Sequence, residues 1–413
     1  MNGLTRVNIF LGIALFLCYF YQIIYLLVAY FGKDKRPPKP STNRRFAVMI
    51  AARNEENVIH NLLISLKRQS YPESLFKVFV VADNCTDRTA DIARGLGAVV
   101  YERQNENEVG KGFALDFLMK SIARDLGRYA FDTYVVFDAD NTLDEDFLSK
   151  INESMTPDYE VMTSYRLPSN YADSWRAAGG GMFFVRESRI MNCARGRLGF
   201  NTFVTGTGFA FSAKLGEKYG GWPFHTLTED GEFTMQNVIS NVKSGYSAEA
   251  IFYDEQAVGR QNSWRQRLRW CRGGVEIFRK YAKGLFKGLL SVRGFTFFDM
   301  LMCLAPAYFF SLLSVTVNLA CIIISLAVGV PIAYIIRGLI PVAAAVYLLP
   351  LVFSLTLTVS EWKRLKAPTA KKILYAFTFP FYIFSFIPAS FSALLVKVEW
   401  KPVTHGAKKK KAP

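Results

Sequence analysis

The 413-residue chain has little of what builds metal centres or disulfide frameworks. Its 6 cysteines are scattered, with no CxxC pair, and Cys18, Cys303 and Cys321 sit in apolar runs where Cys acts as a small hydrophobe. A disulfide framework and a zinc site are therefore disfavoured, and a reducing compartment fits. The 3 histidines, His60, His225 and His405, exclude a His-rich metal site. Neither GxGxxG nor GxxxxGK[ST] follows the first strand-like run, which disfavours a dinucleotide or P-loop site. Acidic residues are also scarce: 34 Asp and Glu face 50 Lys and Arg, a net charge of +16. That excess invites a nucleic-acid partner, but no aromatic-basic recognition module appears and the basic residues flank apolar runs, so no nucleic acid is expected.

Charge is missing altogether from residues 7–32, 300–336, 338–360 and 373–396. A bilayer core needs about 20 apolar residues per helix, and each run is long enough. Pro306 and Pro331 bracket a span at about 307–330 and leave 295–306 to lie at the interface. The first run exceeds the roughly 7–15 residues of a signal-peptide core. Only Arg6 precedes it, whereas Lys33, Lys35, Arg36, Lys39, Arg44 and Arg45 follow. It reads as an uncleaved anchor in the cell membrane with residues 33–295 in the cytoplasm. Pro380 and Pro388 interrupt the last run. A re-entrant or interfacial hairpin there would keep Lys408, Lys409, Lys410 and Lys411 on the cytoplasmic side. The expected organisation is an anchor at 1–32, a cytoplasmic domain at 33–261, an amphipathic interfacial region at 262–306, a membrane region at 307–397 and a basic tail at 398–413.

Within the cytoplasmic part, strand-like and helix-like stretches alternate. Phe46–Ile50, Phe76–Ala82 and Tyr134–Phe137 read as buried strands, and 56–69, 87–97 and 112–127 as helices, the last with Leu115, Leu118, Met119 and Ile122 on one face. Alternation of this kind implies an α/β fold with parallel βαβ units in a doubly wound sheet, whose ligands bind beyond the carboxyl ends of the strands. Arg53-Asn54-Glu55, Asp83-Asn84 and Asp138-Ala139-Asp140 fall at those ends.

Each polar group has two readings. Asp138 and Asp140, at i and i+2, can hold Mg2+ or Mn2+ together with substrate phosphates, or form a polar strand end with an Asx turn through Asn141. Asp83 can accept hydrogen bonds from a base or ribose, or belong to a helix N-cap region. Lys111 can reach a diphosphate or be a surface lysine in a Gly loop. A carboxylate in Thr228-Glu229-Asp230 can take a proton from an attacking hydroxyl, or sit in an ordinary acidic first turn. Arg269 can match phosphate oxygens and Trp270 can stack on a sugar. The alternative is a basic amphipathic helix at 262–290, with Trp264, Leu268, Val275, Phe278 and Leu285 as its apolar residues, lying on membrane lipids.

Taken in order, Ala51-Ala-Arg-Asn-Glu55, Val81-Ala-Asp-Asn84, Lys111-Gly112, Asp138-Ala-Asp140, Thr228-Glu-Asp230 and Gln266-Arg-Leu-Arg-Trp270 make a more specific pattern. By these residues the chain resembles the membrane-integrated inverting glycosyltransferases of family two, the group of hyaluronan, chitin, cellulose and poly-N-acetylglucosamine synthases. The resemblance covers roughly residues 45–290 and the flanking membrane segments. It implies a GT-A type, Rossmann-like sheet flanked by transmembrane and interfacial helices, a nucleotide-sugar donor that is UDP-linked, and Mg2+ or Mn2+ as cofactor. It implies that Asn54, Glu55 and Asp83 hold the nucleoside and Lys111 its diphosphate. Asp138 would contact the diphosphate side and Asp140 the metal. Asp230 would be the base, and Gln266 and Arg269 would meet the diphosphate. Thr205, Gly206 and Trp270 would face the acceptor. The function implied is extension of a cell-surface polysaccharide, with transfer of one sugar to a lipid acceptor as the alternative and a non-catalytic membrane nucleotide-binding or transport protein behind both. Three or four spans make a narrow polymer channel, so a saccharide acceptor would call for an accessory membrane subunit or a homo-oligomer.

Overall fold

The computed structural model describes residues 3–33, 42–304 and 306–400. Lys35, Arg36, Lys39 and the tail lysines at 408–411 lie outside them. Eight strands form one mixed sheet: β1 Phe46–Ala52, β2 Phe76–Asp83, β3 Val99–Arg103, β4 Thr133–Asp138, β5 Thr142–Leu143, β6 Val161–Pro168, β7 Phe209–Ser212 and β8 Ser244–Asp254. Their order is β3-β2-β1-β4-β7-β6-β8-β5.

The β3-β2-β1-β4 half is parallel, as the alternation predicted. Its central strands are apolar on both faces because both faces are covered. One face of β1 packs on Ile59, Leu62, Leu66 and Phe147. The other packs on Leu115, Leu118, Met119 and Ile122, the stripe expected of the helix Lys111–Leu126. Beyond β4 the sheet departs from the parallel pattern. Strand β7 runs antiparallel to both β4 and β6, and β5 antiparallel to β8. Strand β3 was not foreseen. It is an edge strand of sequence Val-Val-Tyr-Glu-Arg, mostly half-exposed, so it lacks a buried strand's apolar run.

Among the described residues, three helical segments are long and apolar enough to cross a membrane: Arg6–Phe31, Ile332–Ser360 and Thr369–Leu395. A further apolar helix, Pro306–Ala327, covers the run where another span was expected, and Gly294–Leu304 precedes it. The last run is not the expected hairpin. Ser385 between Thr369–Phe384 and Phe386–Leu395 keeps helical dihedrals, and Thr369–Leu395 runs on as one helical segment. Pro388 has no amide hydrogen for the carbonyl of Phe384, which accounts for the break.

Two devices tie these helices to the sheet domain. Asp299 is fully buried, receives hydrogen bonds from the hydroxyls of Tyr21 (2.8 Å) and Tyr25 (2.9 Å), and meets Arg195 in a bidentate pair at 2.7 and 3.0 Å. In the helix Trp175–Arg186, Gly179 approaches the ring of Tyr382 so closely that a Cβ would stand 2.7 Å from Tyr382 Cβ. The helix Arg260–Gly288 packs against Glu229–Ile239 on one side and Phe386–Leu395 on the other. Its buried positions are Ser263, Arg267, Cys271, Gly273, Ile277, Tyr281 and Leu285. Of the five apolar residues expected on its apolar face, only Leu285 is among them.

Candidate active site

The carboxyl ends of β1, β2 and β4 open onto a cavity of about 1210 Å3. Its wall includes Glu55, Asp83, Lys111, Asp138, Asp140, Thr205, Gly206, Asp230, Gln266, Arg269 and Trp270, which are all the predicted site residues but one. Asn54 is the exception. It adopts a left-handed φ of 57°, and its side-chain oxygen accepts from the amide of Thr86 at 2.8 Å, so it closes the turn against the 84–88 loop.

Asp83 ends β2 and is held by Arg103 Nη1 at 2.7 Å, both side chains being 6% exposed. Lys111 opens its helix, where the aligned peptide dipoles add to its positive charge. Its ammonium pairs with Asp138 and donates to the carbonyl of Gly206 at 2.7 Å. Burial pushes the Asp138 carboxyl up, but Lys111, then Arg166 and Arg269, outweigh it and leave the group below the usual carboxylate range.

Gly206 has φ +85°, which strains any side chain, and a Cβ there would stand 3.6 Å from Asp230 Oδ2. The glycine thus lets the backbone run past the candidate base. Asp230 lies in the first turn of Glu229–Ile239, the helix that Thr228 precedes. Burial raises its pKa, against the Gly231 amide and the charges of Lys111 and Arg269, which lower it. Glu229 is pushed up to about 7, by burial first and by the Asp230 charge second. Two adjacent carboxylates titrate here as a pair, and one of them binds its proton near neutrality.

Several lining residues had no role in the sequence reading. Arg53 lines the cavity, has a buried Nη1 without a hydrogen-bond partner, and sits 5.3 Å from the ring of Trp400. Arg166, at the end of β6, pairs with Asp254 at the end of β8, donates to the Thr205 carbonyl at 2.6 Å and lies 3.4 Å over the ring of Phe184. Asp254 had a signal, since it closes a strand as Asp138 does. Trp270 stacks on Phe183 at 6.0 Å and meets Phe184 edge-on at 5.4 Å, and Phe386 completes the cluster.

The same cavity is lined, beyond this aromatic cluster, by side chains of the long apolar helices. Leu15, Val315, Leu339, Val342, Val346, Leu349, Ile383 and Ile387 line it there.

No group of three His, Cys, Asp or Glu side chains that would hold a metal ion occurs among the described residues. Asp138 and Asp140 on the wall therefore fit a hard cation only if a substrate diphosphate and water supply the other oxygens, which is how Mg2+ is usually bound.

A mannosyltransferase, PcManGT from Pyrobaculum calidifontis, solved in complex with GDP-Man and Mn2+, shares the architecture. Its TM-score is 0.62 at 17% identity, over 95% of this chain and 99% of that one. The fold is of the GT-A type. A probable glycosyltransferase, YdaM of Bacillus subtilis, is 26% identical over 59% of this chain and 58% of its own length. The beta-monoglucosyldiacylglycerol synthase of Synechocystis is 26% identical over 57% and 48%. A poly-beta-1,6-N-acetyl-D-glucosamine synthase of Staphylococcus epidermidis is 21% identical over 55% and 54%. The chain spans about half the length of these curated relatives. The profile described as "Glycosyltransferase like family 2" matches residues 43–273, more than half of the chain, and the chain belongs to that family.

Proposed function

We propose that the chain is a membrane-bound, inverting glycosyltransferase that moves one sugar from a nucleotide-sugar donor to a lipid acceptor, with residues 33–295 on the cytoplasmic side. The observation that carries the acceptor is the continuity of the cavity. One end is lined by Asp83, Lys111, Asp138 and Asp140, and the other by apolar side chains of the membrane helices. A polymer path would need polar walls, whereas an acyl or isoprenoid chain fits apolar ones.

In this reading Glu55 and Asp83 hold the nucleoside, Asn54 shapes the turn between them, and Lys111, Arg269 and Gln266 hold the diphosphate. Asp138 and Asp140 would hold Mg2+ or Mn2+, which when bound would supply positive charge to offset that of the departing nucleoside diphosphate. Asp230 takes the proton of the attacking group. The acceptor rests on Trp270 and on the backbone at Thr205 and Gly206. One base opposite the leaving group gives in-line displacement and inversion.

The test is a screen of nucleotide sugars with the purified chain, Mn2+ or Mg2+ and membrane lipids, reading released nucleotide and product mass. A single lipid-linked product is expected. Asp230→Asn should lower transfer by roughly 10²–10⁴-fold while donor binding persists. Polysaccharide extension is the second reading, supported by the match to the Staphylococcus epidermidis synthase. A ladder of products would establish it and end the single-transfer proposal.

A further inference from the structure

The acceptor end of the cavity has a charge pattern of its own. Among the lining residues contributed by 15–22, 183–191, 302–350 and 383–390, two are charged, Arg186 and Glu187. Arg186 is engaged on both sides: Nη2 donates to Gln22 Oε1 at 2.8 Å, and Nη1 lies 3.5 Å from Glu187. At the junction with the donor end, Arg166 is matched by Asp254. Glu229, Asp230 and Glu255 also line this part of the wall. Lys111 and Arg269 lie within electrostatic reach of both Asp138 and the Glu229–Asp230 pair, and in the reading above the donor's own diphosphate takes them.

An acceptor reaching Asp230 thus passes cations already balanced by carboxylates or amides and ends among further carboxylates. A phosphate headgroup there would meet those carboxylates and would compete with the donor diphosphate for Lys111 and Arg269, because Arg186 and Arg166 on its path are already matched by Glu187 and Asp254. The chemistry of the nucleophile points the same way. A lipid phosphate is already ionised at neutral pH and needs no base to attack an anomeric carbon, whereas an alcohol must give up a proton as its oxygen bonds to that carbon. A half-buried carboxylate beside the Gly206 backbone has a task only with an alcohol.

We infer that the acceptor is an uncharged lipid bearing a free hydroxyl, and not a lipid phosphate. The inference rests on the lipid-acceptor reading above. In the step it describes, the hydroxyl oxygen bonds to the anomeric carbon, the bond to the nucleoside diphosphate breaks, and the hydroxyl proton passes to Asp230. The product is a neutral glycoside.

The experiment uses the full chain in mixed micelles with a labelled nucleotide sugar. A membrane lipid extract is first separated by anion exchange into neutral and anionic fractions. Dioleoylglycerol, and a polyprenol beside its own polyprenyl phosphate, serve as defined probes. Label is expected in a glycoside formed from the neutral fraction, at least tenfold above that from the anionic fraction, with the polyprenyl phosphate inert. Transfer to polyprenyl phosphate, or label confined to the anionic fraction, overturns the inference and leaves the lipid-acceptor reading standing. Label passing to neither fraction but to added water-soluble saccharides overturns the lipid-acceptor reading itself.

Discussion

Gly273 offers a sharp test of how the long helix sets the base. It lies in the middle of Arg260–Gly288, one turn beyond Arg269 and Trp270, and faces Thr228. A Cβ built there would be 2.7 Å from Thr228 Cγ2 and 2.9 Å from Thr228 Cβ. Ordinary carbon contacts begin at about 3.5 Å, so Thr228 Cβ would have to retreat by roughly 0.6 Å. A rotamer change cannot relieve this, because the Cβ itself is too close. Asp230 follows two residues later, so the shift reaches the base.

Two terms oppose each other in the Gly273→Ala stability. Alanine in a helix interior gains about 1 kcal/mol over glycine, and overpacking costs about 1–3 kcal/mol. The net is a destabilisation of about 0–2 kcal/mol. A displacement near 1 Å at a reacting group costs about 10²-fold in rate, so turnover should fall roughly tenfold to hundredfold. Gly284→Ala is the control on the same helix. Its Cβ meets Ile239 Cδ1 at 2.8 Å, the far end of a flexible side chain, and turnover should be preserved. The assay is product formation at saturating donor, with donor affinity and thermal unfolding in detergent measured alongside. Wild-type turnover in Gly273→Ala, or equal losses in both variants, would refute the argument that this contact positions Asp230.

Activity should fall with decreasing pH at a point above the usual aspartate range, since the Asp230 carboxyl is raised and must be ionised to act. Arg269→Gln removes a charge that lowers that pKa, so its acid limb at saturating donor should move to higher pH. An unmoved limb would count against Asp230 as the titrating group. Glu229, protonated near pH 7, should add a second step that disappears in Glu229→Gln. Val342→Trp, which fills the apolar end of the cavity, should abolish transfer to lipid while donor binding measured by calorimetry stays unchanged. Asp299→Asn breaks a fully buried pair with Arg195 and should destabilise the chain by about 3–5 kcal/mol, seen as a lowered Tm in detergent; an unchanged Tm would show that the pair is dispensable.

The parallel half of the sheet was legible because each of its central strands is apolar along its length and ends in a polar group. Ala51 pairs with Asp138 across β1 and β4, and Asp83 with Arg103 across β2 and β3, so register alone brings the acidic ends to one edge. The antiparallel strands were not legible in this way. β7 is four residues long, and its neighbours β4 and β6 come from distant parts of the chain. Its Gly-rich approach signalled a close passage of backbone, but not the direction of the strand. Asn54 shows the limit of motif reading at single residues. It belongs to the right segment, yet its side chain shapes a turn, because the polypeptide needs φ 57° there and Asn tolerates it.

The helix Arg260–Gly288 shows why half of the cavity escaped a reading by periodicity. Its apolar residues suggested a surface helix lying on lipid, but its buried stripe includes Ser263, Arg267 and Tyr281, because protein covers it on two sides. Arg267 is accommodated by Ser263 at 2.6 Å and by the face of Tyr382 at 4.9 Å, a residue of the last apolar run. That contact lies more than a hundred residues away in sequence, and no local pattern signals it. Aromatic residues from three separate segments, Phe183 and Phe184, Trp270, and Phe386, likewise meet only through tertiary packing. In the proposed reading, one helix therefore carries Gln266 and Arg269 toward the donor, Trp270 toward the acceptor, and Gly273 against Thr228, two residues before the base. A change in how Phe386–Leu395 seats on this helix would reach all four at once, so under the proposed function the packing of this apolar segment belongs to the catalytic geometry.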